Sequence, residues 1–288
     1  MMVTLMNAVS SEPIINVDHP GAGTKPSGRK KSGSRRQAIH GIIGVLILAG
    51  IIEIVSRAGI VDSRFLPPFS SVFVQAAMLL GDPGFLVALG ATALSFLLGI
   101  AIASLLGAGL GILFGLSQTV YFAMRGVVEL IRPLPPVALI PLVIIILGNG
   151  LSMKMVVVVF AAIWPILFNT MYGVHSADPA QVEMARSFGK SRATVIGRII
   201  IPSAAPLIAT GIRISSSISL VVVITVELIA GGANGLGAFI ASARSSGMEV
   251  TMVCAGILMA GVLGLLVNIT LAALEQRWFG WKSLTVEN

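Results

Sequence analysis

The sequence predicts an all-α integral membrane protein of about six transmembrane helices, on three observations. Hydrophobic residues fill 56% of the 288 positions and charged residues only 11%, against roughly 25% charged in soluble domains. Apolar runs near the roughly 20 residues that cross a bilayer recur along most of the chain. These runs do not alternate and exceed the roughly ten residues of a membrane β-strand, so the spans are helical.

The elements follow in order. Residues 1–37 are polar and rich in Gly, Ser and Pro. They end in Lys25, Arg29, Lys30, Lys31, Arg35 and Arg36, the composition of a disordered basic tail that anchors on the cytoplasmic side. Arg35-Arg36 imitates a twin-arginine export signal, but the apolar run behind it is long and carries no small-residue cleavage site. The transmembrane region is expected over 38–282, with a short tail at 283–288. Its first span covers about Ile39 to Val55, and Pro67-Pro68 open an interfacial helix in LPPFSSVFVQAAMLL. The second span, Phe85 to Leu116, is longer than one crossing and must tilt or protrude. Within it Ser95, Gly99, Ala103, Gly107, Gly111 and Gly115 recur every fourth residue. That line of small side chains lets another helix approach, either in the same subunit or across a subunit interface.

The third block, Val120 to Leu147, contains Pro133, Pro135, Pro136 and Pro141, so its helix breaks where backbone donors are missing. Such a break either lines a substrate path or is an architectural kink. A fourth span covers about Met153 to Met171, and a polar segment follows. A fifth covers about Leu207 to Ala230, leading into GGANGLGAFI as a flexible turn, and a sixth covers about Val250 to Leu274. With the N-terminus inside, the outer segments hold Arg57, Arg64, Lys154 and Arg244. The inner ones hold the basic tail and Arg186, Lys190, Arg192 and Arg198, as the positive-inside rule requires. The net charge of +7 is thereby explained by topology, and no basic-aromatic face for nucleic acid is present.

The polar segment at about 176–202 is built as two short helices. Asp178 caps, Pro179 suits the first helical position and Gln181 completes a capping box. Gly189 supplies a left-handed end, and Ser191 caps a second helix that closes at Pro202. Apolar and cationic faces suit a protein groove or an anionic lipid surface. Gly189-Lys190-Ser191 mimics the tail of a P-loop, but the first glycine would fall at Met184 and no strand precedes it, so the chain is not expected to bind ATP.

Glu183-Met184-Ala185, three residues, Gly189, nine residues, then Ile199-Ile200-Ile201-Pro202 resembles the EAA motif of ABC importer permeases, departing from it at Met184 and Ile201. The resemblance covers about Leu66 to Trp281. RPLPPVALIPL, DPAQVEMARSFGKS and GLGAFI make it similar to the nitrate/sulfonate/taurine branch, which also carries vitamin precursors and aromatic carboxylates. It implies the ABC importer permease fold in a bacterial inner membrane, and six spans with the N-terminus inside place both termini in the cytoplasm. It further implies a homodimer, cytosolic ATPase subunits that use the ATP, and an extracytoplasmic binding protein. Glu183, Met184, Ala185, Gly189, Ile199, Ile201 and Pro202 would then form the coupling loop that docks on the ATPase.

Among the remaining polar groups, Glu129 and Arg132 stand three apart and are expected to pair on a helix. Glu53 sits near the outer end of the first span. Arg132, Pro133, Pro135, Pro136, Glu227, Gly235 and Gly237 are the pathway or gate candidates, with Glu227 the more isolated charge. Arg132 and Arg213 are the cations available to an anionic substrate. Cys254 reads as core, His19, His40 and His175 are scattered, and no catalytic or metal-binding set is evident. The competing class is an ion-coupled secondary carrier; the repeated halves of many such carriers are not found.

Overall fold

A computed structural model of the chain describes residues 32–62, 64–230, 234–246 and 249–279. The basic residues of the tail before Ser32, the first part of the glycine-rich turn and the 283–288 tail lie outside them. Contacts divide the chain after Leu48. The described residues before that point belong to the single helix α1, Ser32–Arg57, which extends back into residues 32–37 that the sequence assigned to the tail.

The other helices are α2 Phe69–Leu79, α3 Pro83–Leu116, α4 Gln118–Ile131, α5 Ile140–Leu147, α6 Leu151–His175, α7 Pro179–Ser187, α8 Arg192–Val195, α9 Ile201–Ala230, α10 Leu236–Ser245 and α11 Val250–Phe279. Among the described residues five helices are long and apolar enough to span a membrane. Counted as one broken span, the pair Gln118–Ile131 and Pro136–Leu147, bent by 82°, brings the number to six. The proline-rich block is therefore broken, as its missing N–H groups require.

The core of the unit from Ala49 onward is α6 with α3 on one side and α9 on the other. The small-residue stripe of α3 decides between its two readings, because it packs within the chain. A Cβ on Gly99 would sit 2.5 Å from Val158 Cγ1, one on Gly107 3.0 Å from the Ile163 carbonyl oxygen, and one on Gly115 2.7 Å from Val174 Cβ. The opposite flank of α6 is equally close, with Gly173 against Ala204, and Ser215 Oγ donating to the Ala162 carbonyl at 2.7 Å. Between bilayer-embedded helices close packing replaces the hydrophobic drive, so each glycine matters by its absence of volume. Gly111→Val should therefore destabilise the α3–α6 contact by about 1–3 kcal/mol, because its Cβ meets the Leu167 carbonyl oxygen at 2.6 Å. Gly109→Val, which meets nothing within 4 Å, should be close to neutral. Thermal melting of the two variants in detergent tests the contrast.

A second core joins Val72, Ala76 and Leu79 of α2 to Phe85, Leu236, Ile240, Ala255 and Met259, with Cys254 packed against it as an apolar residue.

Two expectations about the fifth span and its sequel are corrected. Pro202 does not close a separate helix. Residues Arg192–Ala230 run as one rod, with a wide turn at Ile196–Ile200 in which Ile201 N–H reaches the Ile196 carbonyl. That extra residue opens the backbone just where an α-turn would press the Pro202 ring against the Arg198 carbonyl. Nor is the second half of GGANGLGAFI a flexible turn, because Leu236 already begins α10.

Candidate functional site

Two polar constellations stand at opposite ends of the α6–α9 pair. The first is the knuckle, α7 with α8. Asp178 Oδ1 accepts from Ala180 N–H at 2.9 Å, so the anticipated cap starts α7. The helix ends in paired reverse bonds, Gly189 N–H to the Arg186 carbonyl at 2.9 Å and Lys190 N–H to the Ala185 carbonyl at 3.1 Å. This Schellman arrangement needs a left-handed residue, and Gly189 has φ +68. Ser191 Oγ then accepts from Thr194 N–H at 3.3 Å to start α8.

The two short helices enclose an apolar groove of about 550 Å³ lined by Met184, Ala185, Phe188, Val195 and Ile199 among others. Phe188 is 75% and Met184 57% exposed. Of the motif residues expected to act together, Met184, Ala185 and Ile199 line the groove. Glu183 and Gly189 are exposed outside it, and Ile201 and Pro202 lie at the start of α9.

The second constellation is a buried ion pair at the far end of the rod. Lys154 Nζ lies 2.8 Å from Glu227 Oε1, with the side chains 4% and 0% exposed. Glu227 Oε2 accepts from Thr92 Oγ1 at 2.7 Å and from Gly237 N–H at 3.1 Å. Thr92 Oγ1 accepts in turn from Leu236 N–H at 2.7 Å, and Lys154 also donates to the Asn234 carbonyl. The network gathers α3, α6, α9 and the start of α10. Gly235 and Gly237 belong to it because a Cβ on Gly235 would strike the Glu227 carboxylate, and one on Gly237 the Glu227 side chain and the Ile224 carbonyl.

Glu227 is thus not isolated, and Lys154, counted among the outer charges, is buried against it. Partners 73 residues apart leave no local trace in the sequence. A lysine in the first turn of an apolar helix was the available signal.

The expected Glu129–Arg132 pair is also corrected. Glu129 Oε1 accepts from Arg125 Nε at 2.7 Å, one turn earlier, because the helix ends at Ile131 and Arg132 turns toward α6. Its guanidinium lies 4.7 Å from the centre of the Phe168 ring. Arg132 and Pro133 border a cavity; Pro135 and Pro136 form the break beyond it. Arg213 reaches Glu275 at 3.3 Å and is partly exposed. Glu53 is engaged by Arg57 at 2.6 Å and by the N–H and hydroxyl of Ser70.

Residues 106–280 match the family of binding-protein-dependent transport system inner membrane components. This chain belongs to that family. It is the permease component of an importer and a membrane protein. It is 32% identical to the taurine transport system permease protein TauC of Escherichia coli, over 85% of this chain and 90% of that protein. To the bicarbonate transport system permease protein CmpB of Synechococcus elongatus it is 29% identical, over 89% and 95%. The solved inward-facing MetNI methionine ABC transporter shares the permease fold at TM-score 0.57 and 17% identity, covering 65% of this chain and 92% of that one.

Proposed function

We propose that this permease carries a small anion inward across a bacterial cytoplasmic membrane, as one of two identical copies driven by separate ATPase subunits and fed by an extracytoplasmic binding protein. The knuckle carries the reading. An exposed apolar groove sits at the tip of a rod that runs from Arg192 through the wide turn at Ile196–Ile200 to Ala230. A partner pressing on Met184, Ala185 and Phe188 bears, through Val195 and Ile199 across the groove, on the rod that runs to Ala230. Glu227 lies 35 residues beyond Arg192 (227 − 192), roughly 50 Å along a helix at about 1.5 Å per residue. Rigid-body tilting of such rods is an established route to alternating access.

In this arrangement the knuckle and both termini face the cytoplasm, in keeping with the positive-inside charges. Relatives named for taurine and bicarbonate support a small anion as cargo. The secondary-carrier reading loses its main support, because the buried Glu227 carboxylate is already held by Lys154, Thr92 and Gly237.

Cells with and without the chain, offered taurine, alkanesulfonates, nitrate, bicarbonate and vitamin precursors, test the proposal. The expected result is loss of uptake of one small anion, abolished by ATP depletion at clamped membrane potential. Uptake that follows the proton gradient and ignores ATP contradicts it.

A further inference from the structure

We infer that the cavity beneath the proline break binds the oxyanion head of a small organic monoanion, a sulfonate or carboxylate, on the Arg132 guanidinium, with the hydrocarbon part against Phe114, Leu167 and Met171. The cavity measures about 400 Å³ and is walled by Phe114 of α3, by Tyr121, Arg125, Glu129 and Arg132 around α4, and by Leu167, Phe168 and Met171 of α6. That size falls within the range of small-molecule pockets, roughly 300–1,000 Å³.

The two cations in the wall differ. Arg125 is neutralised by Glu129 at 2.7 Å. The Arg132 guanidinium lies 4.7 Å from the centre of the Phe168 ring, and among the described residues its side chain forms no hydrogen bond or ion pair. A ring face attracts the cation without occupying its N–H donors, so the planar fork remains available to two oxygens of one acid group. The Arg125–Glu129 pair leaves the wall one net positive charge, which suits a monoanion. The apolar side chains give an alkyl group a surface that bare inorganic anions do not use.

The cavity lies toward the knuckle end of α6, beside the bend at Pro133. In the importer reading, on which the assignment as a substrate site rests, an anion reaches it late in passage.

The test uses the full chain in nanodiscs of neutral phosphatidylcholine, titrated with ethanesulfonate while the melting temperature is followed. Saturable stabilisation is expected. The apparent affinity should fall about tenfold or more in Arg132→Gln, as for loss of a charge-assisted hydrogen-bond pair, and by less in Arg132→Lys, which keeps the charge but not the fork. Sulfate at equal ionic strength should stabilise less. No stabilisation, or equal stabilisation of wild type and both variants, overturns the inference. So does Arg132-dependent stabilisation by phosphatidylglycerol in the nanodisc with none by ethanesulfonate, which makes the cavity a lipid-headgroup site. ATP-driven sulfonate uptake in cells that Arg132→Gln leaves intact overturns the substrate site but not the importer. Gradient-driven uptake with Arg132-dependent binding overturns the importer reading and leaves the anion site standing.

Discussion

Lys154→Met is expected to destabilise the protein by about 3–5 kcal/mol, the range seen when one partner of a buried ion pair is removed. The loss comes less from the missing attraction than from what remains. Glu227 is fully buried, and without the Lys154 ammonium at 2.8 Å its charge keeps only Thr92 Oγ1 and Gly237 N–H. The fall in melting temperature should be about 10 °C. Lys154→Met combined with Glu227→Leu should recover much of it, because replacing a whole buried pair by apolar side chains is often neutral. Melting curves of the two single variants and the double variant, closed as a thermodynamic cycle, measure the coupling. Single variants as stable as the wild type would show that the pair holds nothing together. Since the network fastens the start of α10 to α3, α6 and α9, the destabilised variants should also expose Leu236 and Gly237 to hydrogen exchange.

Gly189→Val is expected to abolish uptake while leaving the protein folded in the membrane. No atom lies within 4 Å of a Cβ at this position, so the substitution crowds nothing inside the chain. Its cost is local, because φ +68 is a conformation that a β-branched residue resists. The strain, on the order of 1–2 kcal/mol, opens the turn that aims α7 at α8 and adds bulk beside the groove. Uptake together with ATPase activity of the assembled transporter separates the effects. The expected pattern is ATPase activity no longer linked to transport. Unchanged uptake would remove the knuckle from the coupling route.

What is legible in the sequence is whatever has a local cause. The span count came from run lengths and the break from four prolines. The turn at Gly189 came from cap chemistry within a dozen residues, and the Asp178, Ser191 and Gly189 contacts follow that reading. Periodicity located the face of α3 that packs, since every fourth residue on a helix shares one side. It did not say what the face meets, because Val158, Leu167 and Val174 stand on another helix.

The charges divide the same way. The sequence by itself determined an all-helical membrane protein, the order of its spans, the proline break and the caps and Gly189 turn of the knuckle, because each follows from hydropathy and from backbone chemistry over a few residues. Only the tertiary structure decided that Arg192–Ala230 is a single rod, that Glu227 is matched by Lys154, that Arg132 turns from Glu129 to Phe168, and that Gly235 and Gly237 make room for a carboxylate. The reason is physical. In a chain that is apolar on nearly every side, composition fixes which residues enter the bilayer. Partners for the few polar groups buried there are chosen by helix packing, which joins residues far apart in the chain.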